Sequence, residues 1–223
     1  MIMTDDRLRE IVGIVKPVVQ QHIKVLPVDI HALCRTYGAR MTSVEDAVVL
    51  GLDRGTILAC MGSRDGVAMR GRKVWGIIYD KNAPVNRLRF TLAEEFCHTL
   101  LGHTLDSRFN AVCPTYDDSV YERYEEEAKV AADLLLICPS VYYRYRRRKS
   151  IGELARLFSV SEACMWTAGR LYDEKEDVVR SAWGAWLPLD VGVGRYEDGP
   201  VKVRPVRVEH LSVKKERGRH FSN

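Results

Sequence analysis

Within the stretch RFTLAEEFCHTLLGH, residues 89–103, three side chains have the types and spacing to hold and polarise a small molecule. Glu94 and His98 stand four residues apart, which on a helix puts a carboxylate and an imidazole on one face, able to converge on a single divalent ion. Glu95, beside the first, points partly aside and is placed to take a proton from water that such an ion polarises. A catalytic metal of this kind normally takes three protein ligands and keeps one position open. The third must therefore come from elsewhere, and the later acidic helix, reached through YDDSVYERYEEE at 116–127, offers carboxylates for it. The competing reading of Glu94 and Glu95 is a solvated acidic turn of an amphipathic helix.

These residues need elements to position them. Leu88, Leu92, Phe96 and Leu100 form an i, i+4 ladder, which predicts a helix over 86–103 with one buried side. KVWGIIYD at 73–80 is rich in β-branched and aromatic residues and predicts the strand that delivers the chain to it. Further short strands fit 39–42, 47–50 and 56–61. Apolar positions spaced by three and four predict a helix over 4–22, with a kink or break at Pro17, and a second over 27–38 with Pro27 near its first turn. After a long connection, 104–119, a helix from about Val120 to Cys138 presents the small face Ala128, Ala131, Ala132 before Leu135, and Pro139 closes it.

Residues 151–172 read as two short helices split at Ser159–Ser161, similar to a helix-turn-helix. Met165 and Trp166 occupy places where a base-reading helix would carry polar side chains, so packing against the core is the favoured role. The run YYRYRRRKS at 142–150 could follow a phosphate backbone, although a solvated loop after Pro139 accounts for it as well. Residues 183–213, with their alternation and Asp-Gly turn, predict β-structure, followed by a basic tail.

Composition excludes several classes. The 223 residues are 46% hydrophobic with net charge +4, enough for a real core and too little positive charge for a general polyanion binder. No run approaches the roughly 18 to 20 apolar residues of a membrane-spanning helix, and MIMTDDRLRE is unlike a secretory signal. A cytoplasmic location is expected, with no membrane partner. The six cysteines are widely separated, which predicts free thiols. Cys97, three residues from Glu94, reads as a small buried thiol. His103, five residues past His98 and about 140° further round an ideal helix, reads as a partner of the helix C-terminus ahead of a ligand.

The string R-F-T-L-A-x-E-x-x-H, followed by L-L-G-H and a later acidic helix with E-x-x-A, resembles the ImmA/IrrE family of metallopeptidases over roughly residues 25–172. That family carries the H-E-x-x-H motif, with Glu94 standing here in place of the first histidine and Cys97 in place of a glycine. The resemblance implies metal ligands at Glu94, His98 and Glu125 and a general base at Glu95. Lys129 stands where the family tends to have Asn or Asp, and the spacing to Pro139 is one residue longer, so Glu126 and Glu127 stay open as the third ligand. Zinc is the first metal implied, with manganese or iron the alternatives for a carboxylate-rich set.

The implied fold is α+β: a zincin-like core of active-site helix and acidic helix beside a small sheet, with a helical segment and a β-rich C-terminal extension. Its parts would be a metallopeptidase-like domain at 1–139, a helix-turn-helix-like segment packed on the core at 140–175, and the extension with its basic tail at 176–223. The implied substrate is a helix-turn-helix transcriptional repressor of a mobile element or stress response. A catalytically degenerate pseudopeptidase that binds such a partner without cutting it is the alternative. Direct contact with nucleic acid is the weaker expectation.

Overall fold

The computed structural model describes residues 3–23, 25–62, 64–70, 75–106 and 118–184, all in the first of two units of the chain, Met1–Val193. Helix α1, Asp5–His22, is capped by the Thr4 side chain on Arg7 N and carries Leu8, Ile11, Val12, Val15, Val18 and Val19 on one buried stripe. The break expected at Pro17 does not occur. Buried valines on both sides hold the helix through to His22. Helix α2, Ile30–Thr36, begins three residues later than its expected start, because Asp29 caps Ala32 N.

Strand β1, Ala39–Ser43, follows, then two short helices in place of expected strands: α3, Val44–Val49, and α4, Arg54–Met61. Ser43 accepts from Asp46 N and Asp53 from Thr56 N, so each apolar run sits behind an N-cap that commits it to a helix. Strand β2, Gly66–Arg70, was not foreseen. It pairs antiparallel with β3, Trp75–Tyr79, with Ala68 opposite Ile77, while β1 pairs parallel on the other side of β3, giving the order β1-β3-β2.

Helix α5, Val85–Leu100, crosses this sheet. Phe96 meets the Tyr37 and Trp75 rings at 5.2 and 6.1 Å, and Leu92, Ala93 and Cys97 are fully buried. A Cβ at Gly66 would lie 2.7 Å from Thr91 Cγ2, so only glycine lets β2 press this closely on α5. After Gly102, at φ 80°, a 3₁₀ turn spans His103–Leu105. Helix α6, Asp118–Leu136, packs along α5 and α1 through Ala128, Ala131, Ala132 and Leu135.

Pro139 opens another helix, α7, Pro139–Tyr145, so the first part of the basic run is helical rather than loop. Helices α8, Ile151–Phe158, and α9, Glu162–Glu174, divide where expected, with Ser150 and Ser161 as N-caps. Leu154, Phe158, Met165 and Tyr172 join the main core. Trp166 is exposed, with the Arg170 guanidinium 5.0 Å from its ring. Helix α10, Glu176–Trp183, packs on α1 where the β-rich extension was expected to begin. The rest of that extension, the basic tail and Cys113 lie outside the described residues. The other five cysteines are free.

Candidate functional site

Glu95 is the most deeply committed acidic side chain on α5. It is 1% exposed, and Oε2 accepts the Ala68 N–H of β2 at 2.5 Å. The close approach of β2 allowed by Gly66 makes this contact. Burial pushes the Glu95 carboxyl up to about 8, against the pull of the Arg64 charge and the backbone hydrogen bond. Glu94, one residue back, is pushed up to about 7 by burial and by the Glu125 charge. Its Oε1 is buried and has no hydrogen-bond partner.

His98 is fully buried one turn further on, and burial lowers its pKa despite the carboxylate beside it, so the ring is neutral near pH 7. His98 Nε2 stands 3.4 Å from Glu125 Oε1 across the α5–α6 contact. Burial would raise Glu125, but the nearby His98 ring and the charges of Arg64 and Lys129 outweigh it and hold the carboxyl below its ordinary value. Tyr121, one turn before Glu125, hydrogen-bonds to it.

The three acidic candidates on α6 part company here. Glu125 faces His98, while Glu126 Oε1 accepts Met3 N at 3.2 Å. Glu127 Oε2 takes the Arg7 guanidinium at 2.6 Å and His103 Nε2 at 3.1 Å. His103 Nδ1 in turn lies 3.1 Å from His98 Nδ1. His103 is thus neither a helix-end partner nor one of the expected ligands but the next member of a chain running His98, His103, Glu127, Arg7. Tyr124 stacks on the His103 ring at 4.2 Å, and a cavity of about 460 Å³ lies behind, lined by Arg7, His103, Tyr124 and Glu127.

Sequence reasoning missed His103 in this role, along with Arg64, Tyr121 and Asp133. Arg64 Nη1 reaches Glu125 Oε1 at 3.3 Å from the end of α4. Asp133, two turns past Glu125, is buried and pushed up to about 8, with Cys164 Sγ at 3.6 Å. The i, i+4 spacing of Tyr121, Glu125, Lys129 and Asp133 was the available signal, since it places all four on one face of α6. That face lines an open cleft of about 670 Å³ whose far wall is α9, at Thr167 and Arg170. The space between α5 and α6 is filled by their packing.

Among the described residues no three His, Cys, Asp or Glu side chains converge as a finished metal site. The donors nevertheless suit one. Bonds of about 2.1 Å to a tetrahedral ion put neighbouring donors about 3.4 Å apart, which is the spacing of His98 Nε2 and Glu125 Oε1. Glu94 Oε1, one helical turn before His98, is buried and makes no hydrogen bond, with the Lys129 ammonium 4.0 Å away.

A helix carrying Glu94, Glu95 and His98 between a sheet edge and an acidic helix defines a metallopeptidase-like domain of mixed α and β structure. Residues 57–165, a little under half of the chain, match the family model described as the IrrE N-terminal-like domain, Peptidase_M78, and that segment is what the chain shares with the ImmA/IrrE family. No curated protein matches the chain. No helix among the described residues is long and apolar enough to cross a membrane.

Proposed function

We propose that the chain is a divalent-metal-dependent endopeptidase in which Glu94, His98 and Glu125 hold the ion and Glu95 is the general base. The observation that carries this reading is the pairing of His98 Nε2 and Glu125 Oε1 at 3.4 Å, one helical turn from Glu94, whose buried Oε1 makes no hydrogen bond. An ion held there, zinc first and manganese or iron next, would supply Lewis-acid polarisation of the scissile carbonyl and of water. For Nε2 of His98 to ligate, its proton must sit on Nδ1 and be donated to His103 Nδ1, and His103 must then donate from Nε2 to Glu127. The Ala68 N–H holds one oxygen of Glu95 in place, leaving the other to accept a proton from water and return it to the departing amine. The substrate class proposed from the family resemblance is a helix-turn-helix transcriptional repressor.

Metal analysis of the wild type and of Glu94→Gln, His98→Ala and Glu125→Gln tests the ligand set: stoichiometric metal in the wild type and its loss in the variants is expected. A wild type that binds no divalent ion after reconstitution refutes the reading. Incubation with purified helix-turn-helix repressors, with fragments resolved by mass spectrometry, tests the substrate. A second reading, a pseudopeptidase that binds such a partner without cutting it, is favoured by one observation. Arg64 and Lys129 already bring two positive charges to the carboxylates.

A further inference from the structure

The Glu94–Glu125 pair is met by two cations of very different freedom. Arg64 is fixed: Nε donates to Met61 O and Nη2 to Cys60 O, both at 3.2 Å, and Nη1 faces Glu125 Oε1 at 3.3 Å. Lys129 is not fixed in this way. Its side chain is 54% exposed, and Nζ lies 3.8 Å from Glu125 Oε2 and 4.0 Å from Glu94 Oε1, spanning the two helices from the solvent side. The carboxylates it spans are only 13% and 12% exposed, so their charges are little screened by water.

From these contacts we propose that Lys129 and Arg64 are resident counter-ions of the Glu94–Glu125 pair, and that a divalent metal enters by displacing the Lys129 ammonium. The metal and Lys129 would claim the same two carboxylates, and two like charges about 4 Å apart in a partly buried setting repel strongly. Lys129 can leave, since its flexible stem already reaches solvent and its ammonium hydrates well. Arg64 cannot leave without abandoning the α4 carbonyls, so it stays and keeps Glu125 oriented. The metal affinity of this chain is therefore set by how readily Lys129 gives way. The inference rests on the ligand set proposed above.

The test measures Zn²⁺ and Mn²⁺ binding by titration calorimetry on the full chain, first stripped with EDTA, for the wild type and for Lys129→Met and Lys129→Gln. Both variants should bind metal about tenfold or more tightly than the wild type. In EDTA they should melt roughly 2 to 4 °C lower, because the carboxylates lose a counter-ion. Binding by the variants alone supports the inference and refutes a metal-dependent wild-type enzyme. Equal affinity in all three proteins overturns the inference and leaves the proposed function standing. No binding by any of them overturns both, and an unchanged melting temperature in EDTA overturns the counter-ion role.

Discussion

Replacing Glu95 with glutamine should make the metal-free protein more stable at alkaline pH while removing its chemistry. A buried carboxyl raised from 4.5 to about 8 favours the protonated form on folding. Its contribution is therefore complete below about pH 4.5 and is lost as pH rises towards about 8. At about 1.4 kcal/mol for each factor of ten in the acid constant, that loss amounts to roughly 3 to 6 kcal/mol. Glutamine has no proton to lose, and its carbonyl can still accept the Ala68 N–H. The new amide N–H₂ carries a desolvation cost, but that cost is the same at every pH and cancels from the comparison. Urea unfolding in EDTA at about pH 5 and about pH 8.5, followed by circular dichroism, reads the effect directly. The advantage of Glu95→Gln over the wild type should grow by roughly 3 kcal/mol or more between the two. An advantage that stays constant would refute the burial argument. With a repressor substrate the same variant should lose about 10²- to 10⁴-fold in cleavage rate while still binding metal.

Three further outcomes follow from the same contacts. His103→Ala removes the partner of His98 Nδ1, and metal affinity measured by equilibrium dialysis should fall roughly 10- to 100-fold with the fold intact. Glu127, held down at about 2 chiefly against burial by His103 and Arg7, stabilises the protein above its ordinary carboxylate range. Glu127→Gln should therefore cost about 2 kcal/mol near neutrality, and the difference in urea midpoint should shrink as pH falls from about 4.5 towards 2. Ser159 ends α8 in the left-handed region at φ 54°, so Ser159→Gly should raise stability by about 0.5 to 1 kcal/mol in a denaturant titration.

The helices that carry long apolar ladders were legible from spacing alone, as were the division of α8 from α9 and the strand before α5. The runs at 47–50 and 56–61 were not, because a short apolar run reads equally as strand or helix until its cap is noticed; Ser43 and Asp53 were the deciding residues. Strand β2 was missed because GVAMR lacks clear alternation and owes its place to pairing with β3. At the site, spacing brought out Glu94, Glu95 and His98. It did not reveal that Glu95 is buried, since Glu95 lies three residues after Leu92, at the margin of the apolar stripe, and only the approach of β2 covers it. His103 was misplaced for a geometric reason. The 140° offset holds for an unbroken helix, but this one stops at Leu100 and turns at Gly102, which brings the imidazole back to His98. Arg64 comes from a separate segment, and no local pattern announces such a contact.

The Arg7–Glu127 ion pair makes the working unit larger than the homologous one. The family match begins at residue 57, yet the last anchor of the His98 chain is a guanidinium on α1, near the start of the protein. A fragment trimmed to 57–165 would keep every proposed ligand and the proposed general base but lose the closer of the two guanidinium groups that Glu127 meets, Arg7 at 2.6 Å against Arg123 at 3.9 Å. Transplanting the matched segment into another protein would carry the proposed ligands without this alignment, and substitutions at position 7 should be felt at His98 through Glu127 and His103.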